Sequence, residues 1–172
     1  MRIVIIGAGY VGLGIGILLS QEHNVTFIDT NLDKVNNINN GNVLINDSLI
    51  SNYKNTKLCA YNYYNRNILQ DADIIIIALP TDTTNFGTLN TSIIDKTIKK
   101  IFRVNNNALY VIKSTIPFGF TIKIKQKYNI KNVIFKYFSI FKFEKESEKC
   151  DHDCYNETKC LGGGSQKSHC PH

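Results

Sequence analysis

The sequence predicts an α/β fold built on a doubly wound parallel sheet. Short apolar runs typical of buried strands alternate with segments of helical periodicity, and a glycine-rich turn joins the first run to the first helix. The 172 residues are enough for one domain with a substantial core, and 43% hydrophobic with 20% charged residues is a globular composition. Such an alternation implies right-handed crossovers, with ligands bound at the carboxyl ends of the strands.

A glycine-rich turn connects the first predicted strand, RIVII at residues 2–6, with a predicted helix over residues 10–21. The turn has the sequence GAGYVG, and each of its glycines has a separate role in a dinucleotide-binding unit of the Rossmann type. Gly7 permits the tight turn out of the strand, Gly9 lets the backbone lie against a pyrophosphate, and Gly12 lets the helix pack close to the strand. The helix then directs its first N–H groups at the phosphates.

The apolar start of the chain also suggests two alternatives, a secretory signal peptide and a membrane span. A signal peptide needs a small-residue cleavage site, and none follows Leu19. A membrane span needs about 20 apolar residues and gives no reason for glycines at positions 7, 9, 12, 14 and 16. We therefore expect a cytoplasmic protein without a membrane partner.

An acidic residue ends the second predicted strand, NVTFID at residues 24–29. Asp29 lies about 20 residues beyond the turn, where a carboxylate can hold the 2′-hydroxyl of a ribose. Thr30 and Asn31 offer no arginine for a 2′-phosphate, which favours NAD over NADP. The segment DTNLDKV also resembles a helix start, so Asp29 could serve as a helix N-cap, alone or together with the ribose role.

The remaining elements continue the alternation of strands and helices. Strands are predicted at residues 57–62, 72–80, 107–115 and 131–135, helices at 32–40, 46–55, 91–102 and 119–129, and a loop at 81–91. The strand at 72–80 has the continuous apolar run of a strand buried on both faces. In the helix at 91–102, Ile94, Ile98 and Ile101 recur on one side.

The parallel arrangement predicts where the polar residues at the strand ends meet. Because the carboxyl ends of parallel strands share one edge of the sheet, we expect residues 7–12, Asp29, Thr81 and residues 114–115 along that edge.

The formal net charge of +6 arises entirely after residue 100. Residues 1–100 carry 8 Lys+Arg and 8 Asp+Glu, whereas residues 101–172 carry 12 and 6. In the densest run, Lys123, Lys125 and Lys127 alternate with other residues of a predicted helix. We interpret this run as a solvated helix face and expect no nucleic-acid partner, since no nucleic-acid motif accompanies it.

Three segments together resemble a known family. MRIVIIGAGYVGLGIGILLS, DADIIIIALPTD and VIKSTIPFGFT are similar to the N-terminal NAD-binding domain of the UDP-glucose/GDP-mannose dehydrogenases, most of all to UDP-glucose 6-dehydrogenases. The resemblance runs from Met1 to about Phe135. It implies NAD as cofactor and the four-electron oxidation of the C6 hydroxyl of a nucleotide sugar to a carboxylate, which forms UDP-glucuronate from UDP-glucose.

The resemblance also implies a set of cofactor-binding residues. Two of them have plain alternatives: Lys34 as an exposed helix lysine, and Thr115 as a strand-end hydroxyl that satisfies the local backbone. The glycines would form the pyrophosphate turn, the two residues between Gly9 and Gly12 would lie beside the cofactor, and Asp29 would hold the adenosine ribose. The full set is Gly7, Gly9, Tyr10, Val11, Gly12, Asp29, Lys34, Thr81 and Thr115.

The chain departs from the family pattern after NVIF. The family continues with Ser-Pro-Glu-Phe-Leu, whose glutamate takes part in the acid–base chemistry, but alignment of Ser139 with that serine puts Phe141 at the glutamate position. No counterpart of the sugar-binding domain or of the nucleophilic cysteine segment follows, and no catalytic residue is predicted. We expect an NAD-binding domain over residues 1–135 and a disordered tail over 136–172, produced by truncation or a shifted reading frame.

The predicted tail is rich in cysteine and histidine. Its cysteines stand at positions 150, 154, 160 and 170, among three of the four histidines. These residue types suit zinc, but the spacing is not a usual zinc spacing, and disulfides are disfavoured in a reducing compartment. We predict no metal site, with a zinc-binding tail as one alternative.

We expect NAD as a partner, and a nucleotide sugar as a second partner only if a sugar-binding domain is supplied elsewhere. The expected result for this chain alone is NAD binding without activity. A second alternative function is an inactive NAD-binding fragment that regulates or pairs with a full-length enzyme.

Overall fold

Strands and helices alternate along the described part of the chain, which comprises residues 1–42, 58–84 and 87–135 of the computed structural model. The strands are β1 Arg2–Ile6, β2 Asn24–Ile28, β3 Cys59–Tyr61, β4 Ile74–Ile77, β5 Leu109–Ile112 and β6 Val133–Phe135. The helices are α1 Tyr10–Leu19, α2 Leu32–Asn39, α3 Arg66–Gln70, α4 Ser92–Phe102 and α5 Phe120–Tyr128.

All six strands pair in parallel in one sheet, in the order β3-β2-β1-β4-β5-β6. The central strand β1 has β2 on one side and β4 on the other, so that Ile6 lies beside both Ile28 and Ile77. Because every pair is parallel, the carboxyl ends of the strands share one edge of the sheet. The strand order reverses between β1 and β4, and ligands bind at such a reversal. The predicted Rossmann-type doubly wound sheet is confirmed.

The four isoleucines of β4 make the centre of the sheet apolar on both faces. Ile75 and Ile77 are fully buried in the core on one face, and Ile76 is buried in the core on the other. Complete burial of one such side chain stabilises the fold by about 1.5–3 kcal/mol. The predicted strand with two buried faces is therefore confirmed.

Helices cover both faces of the sheet. On one face, Ile94, Ile98 and Ile101 of α4 are fully buried, as the predicted periodicity requires. On the opposite face, Val35 and Ile38 of α2 pack in a second core with side chains of β1 and β2. Each face of the sheet thus has an apolar core of its own.

A glycine within α1 sets the distance between this helix and the sheet. A Cβ atom added at Gly16 would lie closer than 3.0 Å to the ring of Phe27 and to the side chain of Ile5. Any larger residue would have to displace these buried side chains or push α1 away from β1 and β2. The glycine spacing in the sequence did not predict this role of Gly16.

The helix α3 was not predicted. It has only five residues, which are too few to display a helical period, and it begins at the N-cap Asn65. The side chain of Asn65 accepts hydrogen bonds from the backbone N–H groups of Asn67 (3.1 Å) and Ile68 (3.3 Å). Among the helices of the described ranges, none is long and apolar enough to cross a bilayer.

The segment predicted as a plain loop at residues 81–91 contains an antiparallel bridge between Thr83 and Leu89. The Thr84 N–H donates to the carbonyl of Thr88 (2.7 Å), and the hydroxyls of the two threonines are also 2.7 Å apart. These bonds give the described ends of the segment the form of a small hairpin. The helix predicted at 46–55 and the tail predicted at 136–172 lie outside the described residues.

A buried asparagine ties α3 to the start of β5. The amide nitrogen of Asn105 donates to the carbonyls of Leu69 and Ala72, each at 2.9 Å, and is also 3.2 Å from the carbonyl of Gln70. Its amide oxygen accepts from the backbone N–H groups of Asn107 (3.0 Å) and Ala108 (2.9 Å). One side chain therefore satisfies buried backbone groups of two segments.

The lysine run of α5 is partly engaged by α4. Lys127 Nζ lies 2.6 Å from Asp95 Oδ2, and the Tyr128 hydroxyl donates to Asp95 Oδ1 at 2.9 Å. Burial raises the pKa of Asp95, but these hydrogen bonds and the charges of Lys127 and Lys123 outweigh it and lower the pKa overall. The bond to Asp95 raises the pKa of Lys127.

Candidate functional site

The first glycine of the turn has a conformation that other residues rarely adopt. Gly7 has φ +101°, and its N–H donates to the carbonyl of Ile28 at 2.9 Å. A Cβ atom at this position would also lie closer than 3.0 Å to the backbone of Ala78. Backbone strain and steric exclusion both require glycine here, which confirms the tight turn out of β1.

The other two glycines of the turn differ in what surrounds them. A Cβ atom at Gly12 would collide with the carbonyl of Gly7, so Gly12 allows the close approach of α1 that the sequence analysis expected. At Gly9, by contrast, no atom lies within 4 Å of an added Cβ, and φ −84° with ψ −173° is ordinary extended backbone. Nothing in the described fold demands glycine there, and the space beside Gly9 is open.

The start of α1 presents the positive end of a helix next to this space. Gly9 is the N-cap, so no side chain caps the helix, and the first turn contains no acidic residue. The first bond within the helix runs from the Leu13 N–H to the Gly9 carbonyl at 2.9 Å, which leaves the Val11 and Gly12 N–H groups unused within the helix. Such an end attracts anions. Tyr10 and Val11 lie exposed in the same turn.

Asp29 follows β2 and is joined to the glycine turn. Its Oδ2 accepts a hydrogen bond from the Ala8 N–H at 2.7 Å, and its Oδ1 accepts one from the Asn31 N–H at 2.8 Å. The backbone N–H of Asp29 donates to the Tyr61 carbonyl of β3 at 3.1 Å. A carboxylate has about four acceptor positions, so Asp29 keeps capacity for a further donor.

The alternative role of Asp29 as a helix N-cap is wrong. The N-cap of α2 is Asn31, whose side chain accepts from the Lys34 N–H at 3.1 Å. Both residues are good caps by type. The carboxylate of Asp29 is occupied instead by the turn before α2 and by Ala8.

Lys34 lies on α2 beside the same carboxylate. Its Nζ is 3.9 Å from Asp29 Oδ2, and its side chain is 46% exposed. An ion pair of this length and exposure contributes little to stability. Lys34 is thus an exposed helix lysine, as the alternative held, and it also lies next to the predicted ribose position.

The two predicted threonines follow the next strands along the edge. Thr81 comes after β4 and is half-buried, and Thr115 comes after β5 and is exposed. The alternative role of Thr115 was a strand-end hydroxyl that satisfies the local backbone. In the structure the neighbouring Ser114 has this role. Ser114 is buried, its Oγ donates to the Ile77 carbonyl at 3.4 Å, and its backbone N–H donates to the same carbonyl at 3.2 Å.

The predicted residues follow the edge of the sheet in a definite spatial order. Asp29 lies at β2, the glycine turn at β1, Thr81 at β4 and Thr115 at β5. The sequence did not predict that Ala8 and Tyr61 are the backbone partners of Asp29, since backbone groups carry no signal in residue type.

In residues 1–42, 58–84 and 87–135, no cluster of three or more His, Cys, Asp or Glu side chains could hold a metal ion. The four tail cysteines lie outside these ranges.

Comparison with known sequences identifies the family of the chain, and comparison with solved structures shows its fold. Residues 1–170 match the family model described as the NAD-binding domain of the UDP-glucose/GDP-mannose dehydrogenase family. The match extends past Phe135, where the resemblance was expected to end.

Curated relatives are longer than this chain. UDP-glucose 6-dehydrogenases from Streptococcus pneumoniae and Campylobacter jejuni are both 38% identical to it, over 139 and 146 residues, which cover 78% of this chain. The one from Rickettsia conorii is 30% identical over 175 residues and covers 98% of this chain. The chain spans 35%, 36% and 40% of the length of these three relatives.

Solved structures share the fold. A GDP-mannose dehydrogenase from Pseudomonas aeruginosa superposes with a TM-score of 0.64, and a UDP-D-ManNAc dehydrogenase from Pyrococcus horikoshii with 0.66. Both are 24% identical, and each alignment covers 78% of this chain and 35% of the other.

Proposed function

Since the chain belongs to the UDP-glucose/GDP-mannose dehydrogenase family and carries its NAD-binding domain, we propose that it supplies the NAD-binding half of a UDP-glucose 6-dehydrogenase. The proposed overall reaction oxidises the C6 hydroxyl of UDP-glucose to a carboxylate. Two hydrides pass in succession to two molecules of NAD, and one water supplies the second carboxylate oxygen. The family and the relatives' activity support this assignment.

The observation that carries the proposal is the bond between Asp29 and the glycine turn. The Ala8 N–H, in the middle of the turn, donates to Asp29 Oδ2 at 2.7 Å. This bond fixes the distance between the glycine turn, which would bind the pyrophosphate, and the Asp29 carboxylate, which would bind the ribose, before the ligand binds. Preorganisation of this kind lowers the entropic cost of binding.

The residues present fit NAD in three respects. The uncapped start of α1 offers N–H donors to a pyrophosphate, and the open space beside Gly9 admits its close approach. Asp29 retains acceptor capacity for ribose hydroxyls. A 2′-phosphate would instead face that carboxylate with no arginine at positions 30 or 31, so we propose NAD rather than NADP.

We further propose that the 172 residues bind NAD by themselves but do not oxidise UDP-glucose. They cover 35–40% of the length of the three relatives. If Ser139 is laid on the serine of the family's Ser-Pro-Glu motif, Phe141 falls at the position of the acid–base glutamate. Hydride transfer needs the sugar C6 held against the nicotinamide, and it needs a base to take the hydroxyl proton. We propose that the groups that hold the sugar and the base that takes its proton come from the other domains of such an enzyme, whether in the same polypeptide or in another one.

Calorimetric titration of the 172-residue chain with NAD and NADP tests the cofactor assignment, and NADH absorbance at 340 nm with UDP-glucose and NAD tests the turnover. We expect NAD to bind at least tenfold more tightly than NADP, with no steady formation of NADH. Failure to bind NAD, or tighter binding of NADP, would overturn the cofactor proposal. Steady turnover would overturn the proposed dependence on the remainder of the enzyme.

A further inference from the structure

Two tyrosines stand at the carboxyl end of β3, next to the candidate site. Tyr61 is the last residue of the strand, and Tyr63 follows two residues later. Their ring centroids are 5.8 Å apart with an interplanar angle of 77°, which is an edge-to-face contact. Tyr63 is 56% exposed, so much of its ring surface is open to a ligand.

The tyrosine pair is joined directly to the residue proposed to hold the ribose. Tyr61 lies beside Ile28 in the register of β2 and β3, and its carbonyl accepts the N–H of the next residue, Asp29, at 3.1 Å. The edge-to-face contact then extends from Tyr61 to Tyr63. One backbone hydrogen bond and one ring contact thus connect the carboxylate residue to the exposed ring.

The order of groups in NAD indicates which group would reach this ring. This step rests on the proposed function. With the pyrophosphate at the turn after β1 and the adenosine ribose at Asp29 after β2, the nicotinamide half extends towards Thr81 and Thr115, after β4 and β5. The adenine is bonded to the ribose on the opposite side from the pyrophosphate, so it extends past Asp29 towards β3.

We propose that Tyr63, held edge-to-face by Tyr61, is the aromatic surface on which the adenine of NAD stacks. A purine has a large π-face, and stacking on an aromatic side chain contributes to nucleotide binding without a hydrogen-bond requirement. The contact with Tyr61 restricts the orientation of the Tyr63 ring, so less freedom is lost when the base binds. Tyr63 is a binding residue for the adenosine half and takes no part in hydride transfer.

The test uses the full 172-residue chain and ADP-ribose, which contains the adenosine and pyrophosphate of NAD but no nicotinamide. Calorimetry should show that Tyr63→Ala weakens ADP-ribose binding about tenfold, at the lower end of measured base-stacking effects because the ring is half exposed. Tyr63→Phe keeps the π-face and should bind within about twofold of the wild type. Phe118→Ala removes a fully exposed aromatic ring after β5 and should leave ADP-ribose affinity unchanged.

Proton NMR of the bound ligand separates stacking from a structural effect of the substitution. In the wild type and in Tyr63→Phe, the adenine H2 and H8 resonances should move upfield through the ring current, and in Tyr63→Ala this shift should be lost. If the wild type binds ADP-ribose while Tyr63→Ala binds equally well or keeps the upfield shift, the stacking proposal is overturned and the cofactor assignment stands. If the wild type binds neither NAD nor ADP-ribose, the proposed function is overturned and this inference with it.

Discussion

The carboxylate of Asp29 accepts a hydrogen bond of 2.7 Å from the backbone N–H of Ala8, in the middle of the glycine turn. The two residues are 21 positions apart in the chain, and their bond joins the carboxyl ends of β1 and β2. We therefore propose that Asp29 would act on a bound dinucleotide in two ways: as an acceptor for the ribose and as an anchor for the turn.

Replacement of Asp29 by Asn should weaken NAD binding by about tenfold to a hundredfold, because a hydrogen bond to a charged group contributes about 1.5–3 kcal/mol. The amide also presents a donor where the carboxylate had a second acceptor, so the bond from Ala8 or that from Asn31 is lost. Calorimetry with NAD measures the effect. Asp33→Asn removes an exposed carboxylate from the first turn of α2 and should bind NAD as the wild type does. Equal affinities of all three proteins would exclude Asp29 from the ribose site.

Substitutions at Gly9 and Gly12 should separate binding from stability. Gly9→Val should abolish NAD binding by filling the open space, while it destabilises the fold by only about 1 kcal/mol through a poorer N-cap. Gly12→Ala should lower the free energy of unfolding by several kcal/mol, because its Cβ would collide with the Gly7 carbonyl. This carbonyl is a backbone group, so it cannot move aside as the end of a flexible side chain can. Urea unfolding and NAD titration measure the two quantities. Retention of NAD affinity by a folded Gly9→Val protein would rule out a pyrophosphate at the turn.

Asn105→Ala should destabilise the fold by about 3 kcal/mol. The substitution leaves buried carbonyls of Leu69 and Ala72, and the N–H of Ala108, without their side-chain partner. Urea denaturation monitored by circular dichroism gives the free energy of unfolding. The neighbouring Asn106→Ala removes an exposed side chain and should change that free energy by less than about 0.5 kcal/mol. Similar losses in both variants would show that the Asn105 amide has no special role.

The ion pair between Asp95 and Lys127 should make stability depend on pH at both extremes. The pKa of Asp95 lies below its ordinary value of 3.8, so its contribution is present above that value and is lost as the pH falls through the folded pKa. The pKa of Lys127 lies above 10.5, so its contribution is present below that value and is lost as the pH rises through the folded pKa.

Thermal unfolding of Asp95→Asn from pH 2 to pH 7 checks the acidic limit of this prediction. Its Tm should fall below that of the wild type at pH 7, and the difference should shrink as the pH drops below about 4. Glu22→Gln provides a matched loss of one exposed carboxylate and should show a smaller difference at pH 7. A Tm difference for Asp95→Asn that does not change with pH would contradict the prediction.

Among the described helices, the one with the longest periodic pattern was predictable from the sequence, and the shortest one was not. The burial of Ile94, Ile98 and Ile101 followed from their spacing because a helix of 11 residues displays three turns of one face. The five residues of α3 display little more than one turn, so only the cap Asn65 marked the helix. A helical period can be recognised only over several turns, and α3 is too short to display one.

The choice between Asp29 and Asn31 as helix cap shows a second limit. Both residues are good N-caps by type, and they are two positions apart. In the structure, Asp29 accepts from the Ala8 N–H with Oδ2 and from the Asn31 N–H with Oδ1, whereas the side chain of Asn31 accepts from the Lys34 N–H and caps the helix. Residue type alone does not distinguish these two roles.

The sequence by itself determined the fold class, the order of the six described strands and the position of the glycine turn, because apolar runs and glycine spacing are local properties of the chain. Only the tertiary structure decided why particular residues are required where they stand. Gly7 must be glycine because β4 brings the backbone of Ala78 against it, and Gly16 because β2 brings the ring of Phe27 against α1. These neighbours depend on which strands pair and in what register, and contacts across the sheet set that register.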